Sequence, residues 1–258
     1  MTHEAAEVWA ERFWARAGRV EPFPRDLESS VSWALPLAIV KLPRLTFERV
    51  RVWLNSRGIS TPQATPDRPL RACLVARAGH GFVLMEGSDP ADERRMSLAH
   101  ETAHFFLDCL TPREKALKAL GEGVRDVLDG LRPATAEECL AGVLGGLCLG
   151  TYTHLIERTG TGGVTRVEVV ESEDRADRLA LELLAPRRAL LMRLAGELPA
   201  GCTARAAAEV AEAVLIRDFG LPRLAARRYA QVVVGGSLAA RSFRHWLGVC
   251  RTSALSRE

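Results

Sequence analysis

The sequence predicts a predominantly helical α+β fold. Apolar residues recur at helical spacing, most clearly Ala176, Leu179, Ala180, Leu183 and Leu184. Several segments open on Asp, Thr or Pro in the order that starts a helix. Against this helical background two short apolar runs, Cys73–Ala76 and Phe82–Glu86, flank a turn with Gly79 and Gly81 and read as a β-hairpin.

Taken in order, the chain opens with a helical segment around Trp9, Phe13 and Trp14 and then reads as irregular, with a further helix over Phe47–Ser56 after Pro43. Pro62, Pro66 and Pro69 punctuate a linker before the hairpin. Asp89-Pro90 supplies a cap and a first-turn proline for a helix running to about Cys109. Thr111-Pro112 ends that helix, and the capping-box pairs Thr111/Glu114 and Thr135/Glu138 predict helices over 112–131 and 136–157. Gly160 to Gly163 breaks the pattern, and the alternation from Val164 to Val170 predicts a strand. Helix resumes near Ser172 and stops before Pro186. Later helices include Ala204–Asp218, ended by Gly220, and a basic one after Pro222. The expected organisation is an N-terminal helical region (1–69), a central core (70–190) with a helical insertion at about 112–157, and a C-terminal helical region (191–258).

With 258 residues, of which 47% are hydrophobic, the chain can bury a sizeable core. Its 35 basic and 32 acidic residues are mixed along the length, so the net charge of +3 predicts neither direct nucleic-acid binding nor attachment to a membrane surface. Six cysteines without a CxxC pair argue against a disulfide framework, and the polar, acidic start from Thr2 to Glu7 lacks the pattern of a signal peptide. A cytoplasmic location is therefore expected. The stretch from Cys139 to Ile156 contains no Asp, Glu, Lys or Arg, but it holds four glycines with Tyr152, Thr153 and His154. It is at the lower limit for crossing ~30 Å of hydrocarbon and is read as a buried helix.

The chemistry is concentrated in His100-Glu101-Thr102-Ala103-His104. Four residues advance a helix by about one turn, so both imidazoles project from one face and can chelate one ion. Two neutral imidazole nitrogens suit Zn2+ and leave room for a carboxylate and water, with Glu101 beside the open position as general base. The apolar surroundings, Met96, Leu98, Ala99, Phe105, Phe106 and Leu107, predict that this helix is buried, where charged groups need partners. Glu173 and Asp177 share a face of a later helix. Glu173 is the expected third ligand and Asp177 the acceptor for the remaining N–H of a ligating histidine. Glu171, Glu168 and Asp108 are rival ligands; Tyr152, His154 and His80 are candidate donors to an oxyanion.

These two elements together resemble the ImmA/IrrE family of metallopeptidases, in which HExxH is followed by a helix of the form E-x-x-A-D/N-x-F-A-x-x-L-L-x-P. Here the second element reads Glu173, Ala176, Asp177, Leu179, Ala180, Leu183, Leu184 and Pro186, with Leu179 in place of phenylalanine. The resemblance covers residues 70–190 and implies a zincin-like, thermolysin-like core with a hairpin or small sheet on the metal helix. It also implies a zinc endopeptidase that cleaves or antagonises a helix-turn-helix repressor. Where many relatives carry a small residue and a histidine, this chain has Ala103 and Asp108, and its separation from His104 to Glu173 is long. The alternative is a non-catalytic, metal-containing regulatory protein that binds a repressor or DNA, supported by Arg223, Arg227, Arg228, Arg241 and Arg244; an intact Glu101 favours the enzyme. If the hairpin presents a free edge, an extended substrate can join it as an added strand.

Overall fold

The computed structural model describes residues 1–59, 67–144, 167–198 and 202–235. In chain order the elements are α1 (His3–Ala17), α2 (Leu27–Ala34), β1 (Leu37–Leu42), α3 (Phe47–Asn55), β2 (Ala72–Arg77), β3 (His80–Glu86), α4 (Ala91–His104), α5 (Thr111–Leu120), α6 (Arg125–Leu128), α7 (Ala136–Leu144), α8 (Val167–Leu184), α9 (Arg187–Glu197), α10 (Ala204–Arg217) and α11 (Arg223–Gly235). The fold is α+β and mainly helical, with one small mixed sheet.

Short polar side chains start several helices by accepting backbone N–H groups that have no partner inside the helix. Thr2, Asp26, Thr46 and Thr203 do this for α1, α2, α3 and α10. The box ahead of α7 is reciprocal: Thr135 N–H donates to Glu138 Oε2 at 2.8 Å, and Glu138 N–H donates to Thr135 Oγ1 at 3.2 Å. The corresponding pair Thr111/Glu114 forms no cap, because the chain is already helical there and Glu114 turns away to Arg16, 2.6 Å off. Nor does Asp89 cap α4, which begins at Ala91 after Pro90 with no side-chain cap and is stabilised instead by Asp92 and Glu93 in its first turn.

Thr111-Pro112 does not end the helical segment that carries His100 and His104. Between α4 and α5 the backbone widens into a π-helical turn over Phe105–Leu110, where Thr111 N–H reaches the Phe106 carbonyl five residues back. A proline in an ordinary helix lacks the N–H and collides with the carbonyl four residues back, and the widened turn carries the chain past Pro112 without a break. The helix expected over 112–131 instead stops at Gly121, whose φ of 80° ends α5, and resumes as a short turn and α6.

The hairpin forms as β2 and β3, but the sheet also contains β1, a strand the sequence reading leaves irregular. It lies parallel to β3, giving the order β1-β3-β2 with β3 in the middle. Alternation sends Ala72, Leu74, Ala76, Val83 and Met85 into the main core with α4, while Cys73, Val75 and Leu84 join Phe47, Val50 and Leu54 of α3 in a smaller one. Both faces of the hairpin are therefore covered, which is why its strands read as continuous apolar runs.

The expected strand over Val164–Val170 is not formed where it is described: from Val167 onward the chain is already α8. The β-branched pattern loses to the packing of α8, which buries Ala176, Leu179, Ala180 and Leu183 against α4 and α1. Ala99 and Ala103 on α4 and Ala176 and Ala180 on α8 are completely buried, and these small side chains let the two helices approach closely. The main core takes residues from α1 through α11, including Phe13, Leu183, Leu215 and Tyr229. Polar ties fix the periphery: Arg95 donates to the Gly220 carbonyl at 2.9 Å, and Gly220 adopts a φ of 62° in the connection between α10 and α11. A side chain there would run into Arg95. The segment Asp218–Pro222 is thus a tight helix connection tied to α4 through Arg95. Cys109, Cys139 and Cys202 are free thiols, and no helix among the described residues is long and apolar enough to cross a membrane. Most of the apolar stretch Cys139–Ile156 lies outside the described residues.

Glu182 starts α9 from a distance, its Oε2 accepting the Arg187 N–H at 3.3 Å. Burial pushes its carboxyl up to about 7. A carboxyl that binds its proton more tightly in the folded state than in the unfolded one contributes most below about pH 4.5, and that contribution fades as pH rises towards about 7. Glu182→Gln keeps the acceptor and removes the charge. The variant is expected to match wild type near pH 4.5 and to exceed it by roughly 1–3 kcal/mol above pH 8. Parallel denaturant titrations at the two pH values measure the gap, and a gap that does not change with pH contradicts the assignment.

Candidate metal centre

Three donor atoms from two helices meet at one point. His100 and His104 are four residues apart on α4 and so occupy one face, and Glu173 reaches them from the first half of α8. Both histidines are completely buried, and Glu173 is almost so. The two Nε2 atoms are 3.0 Å apart, and Glu173 Oε2 and Oε1 lie 3.3 Å from His100 Nε2 and His104 Nε2 respectively.

The other side of each ring is held by a carboxylate. His100 Nδ1 is 2.8 Å from Asp177 Oδ1, one turn along α8 from Glu173, and His104 Nδ1 is 2.9 Å from Asp108 Oδ2. A carboxylate needs a donor, so each ring carries its proton on Nδ1 and turns the lone pair of Nε2 inward. Two lone pairs 3.0 Å apart facing a carboxylate repel unless a proton or a metal ion lies between them. A tetrahedral site with bonds of ~2.0–2.1 Å has edges of about 3.3–3.4 Å, close to the three separations found here. The residues present therefore fit a divalent cation.

Electrostatics point the same way. Burial by itself would lower the His104 imidazolium, but Asp108, Glu173 and Glu101 push it up to about 9. Burial would raise the Glu173 carboxyl, yet hydrogen bonding to His100 and His104 drives it far below the usual carboxylate range. The surrounding carboxylates thus favour positive charge at His104, where a divalent cation would be held. Glu101 is fully buried on α4 next to His100, and its charge acts on His104.

Asp108 takes a different place from the rival ligand the sequence suggests. The π-helical turn keeps it on the His104 side, and it faces Nδ1 instead of the converging donors. Ser172 donates to Asp108 Oδ2 at 2.7 Å, and Arg175 donates to Oδ1 at 3.0 Å. Burial tends to raise the Asp108 carboxyl, and His104, Ser172 and Arg175 together bring it below its ordinary value. Sequence reasoning does not find this supporting layer, although Asp108 lies four residues after His104, the spacing that places side chains together on a helix. Of the remaining candidates, Glu171 is exposed, and His80 is exposed with Nδ1 3.1 Å from the Ala78 carbonyl, apart from the three donors. Tyr152, His154 and the Glu168 side chain lie outside the described residues.

Removing one acceptor while keeping its shape tests the layer behind the histidines. Asp108→Asn and Asp177→Asn should each weaken binding of a divalent cation by about ten- to a hundredfold, measured by competition with a chromophoric chelator. His104→Ala should leave less than one ion per chain by elemental analysis. Stoichiometric metal in that variant, or unchanged affinity in both Asn variants, would remove these residues from the centre.

No family model, curated protein or solved structure matches this chain, so the assignment of the centre rests on the convergence of His100, His104 and Glu173.

Proposed function

We propose that the chain is a zinc-dependent endopeptidase of the ImmA/IrrE type, acting on a regulatory protein such as a helix-turn-helix repressor. The observation that carries this reading is the pair of Nε2 atoms and the Glu173 carboxylate aimed at one point with Glu101 buried beside them. His100, His104 and Glu173 would hold the zinc. An ion held there would supply Lewis acidity, which lowers the pKa of a water from 15.7 to about 7. Glu101 accepts the proton of the attacking water and returns it to the leaving amine. Asp177 and Asp108 keep both rings in the tautomer that leaves Nε2 free for the ion. A purely structural site has no use for a buried carboxylate next to an open position, which favours catalysis over the binding-protein alternative.

Backbone polarity tests whether an extended substrate could join the hairpin as a strand. β3 is paired on both sides, so within the hairpin only β2 retains an edge. Glu86 N–H donates to the Arg71 carbonyl, which sets the alternation along the pair. Arg71, Cys73, Val75 and Arg77 turn their backbone groups to β3; Ala72, Leu74 and Ala76 turn theirs to the outer side. All three residues are buried, so this edge is already covered and the hairpin offers no open strand for an extended substrate to join.

Glu101→Gln replaces the base with a group of the same shape. It should retain one zinc per chain and an unchanged fold while cleavage of an unstructured peptide library, read by mass spectrometry, falls to background. Cleavage at the wild-type rate would refute the mechanism. Wild-type protein that holds zinc but cuts nothing in the library or in a co-expressed repressor would support the non-catalytic alternative.

A further inference from the structure

A cavity of about 620 Å³ lies between α1, the segment joining α1 to α2, and the start of α9, and none of its lining residues belongs to the metal centre. Its α8 residue, Glu182, follows Glu173 by nine positions, about 14 Å along a helix. The size is that of a small-molecule site. Its walls are mixed: Trp14 and Phe23 offer aromatic faces, Val20 and Met192 are exposed apolar side chains at the rim, and Arg25 and Glu182 are buried charged residues.

Two buried donors on this cavity have no acceptor among the described residues. They are the indole N–H of Trp14 and the Nε–H of Arg25. The Arg25 guanidinium sits 4.6 Å from the centres of both the Trp14 and the Phe23 rings, so the two donors belong to one cluster. Its Nη1 donates to the Leu183 carbonyl at 2.5 Å, which anchors it without neutralising it. An unsatisfied buried donor costs about 1–3 kcal/mol, and a buried cation without a counter-ion costs more. The nearby carboxyl of Glu182 accepts from the Arg187 N–H, and burial leaves it partly protonated near neutral pH, so it offsets only part of that charge.

We propose that this cavity binds a small carboxylate with an apolar body, its carboxylate oxygens accepting from Trp14 Nε1 and Arg25 Nε and its body lying on Phe23, Val20 and Met192. A carboxylate answers both unsatisfied donors and the buried positive charge at once. An alcohol answers the donors without the charge, and an amine answers neither. The site is independent of the peptidase reading and would hold whether or not the metal centre is catalytic.

Octanoate, octanol and octylamine, which share one chain length and differ in the head group, test this on the full-length protein. Each is titrated against 15N-labelled protein with and without a metal chelator, following the Trp14 indole N–H resonance, with affinity measured by calorimetry. Octanoate should bind once per chain and shift that resonance in both conditions, octanol should bind at least tenfold more weakly, and octylamine should not bind. Trp14→Phe keeps an aromatic ring and loses the donor, and should weaken octanoate about tenfold. Ala189→Phe, at a half-buried wall position, should block the cavity and abolish binding while the melting curve stays cooperative. The proposal is overturned if folded wild-type protein shows no saturable octanoate binding, if octanol or octylamine binds as tightly, or if both variants bind as wild type does. Octanoate binding that vanishes with the chelator would belong to the metal centre and overturn it equally.

Discussion

The hydrogen bonds from Nδ1 of His100 and His104 to Asp177 and Asp108 set the orientation on which the centre depends. An imidazole that donates on one side presents a lone pair on the other, and two such rings four residues apart on α4 must present theirs to the same space. Everything else about the site follows from keeping those rings still. α8 supplies Glu173 and Asp177 from one face, so a single helix provides both a converging donor and the acceptor behind the facing histidine. The alanines at the contact between α4 and α8 bring the backbones close enough for these short carboxylates to reach.

Burying this many charged groups is costly unless they satisfy one another. Here they do so in layers. His104 is backed by Asp108, which in turn is held by Ser172 and Arg175; His100 is backed by Asp177. The sheet and α3 lie outside this network but bury β2 and β3 on both faces, and the main core that seats the hairpin also seats α4. Rigidity at the donors is therefore inherited from an apolar core drawn from most of the chain.

The pattern of HExxH on an apolar helix followed by a helix with Glu173 and Asp177 was legible because helical spacing alone decides which side chains share a face. The hairpin was legible because alternation and glycine mark it. β1 was missed: six residues between prolines carry little periodicity, and the strand exists because β3 offers it an edge. The strand expected over Val164–Val170 followed β-branched composition, and packing of α8 overrode it. Asp89 and Thr111 look like caps in isolation, but a cap acts only where the backbone actually starts a helix, and at Thr111 it is already inside one.

By itself the sequence determined the two helical faces, the donor types on them and the hairpin between the linker and α4, since each depends only on spacing along one segment. Tertiary structure decided the rest. It chose which carboxylate supports which ring, converting Asp108 from a candidate ligand into the partner of His104, because that choice turns on a π-helical turn and on Ser172 and Arg175 more than sixty residues away. It also placed β3 inside the sheet, leaving β2 as the hairpin's edge, and gathered Trp14, Arg25 and Glu182 around one cavity. Contacts between distant segments carry no local period, so only the folded chain can display them.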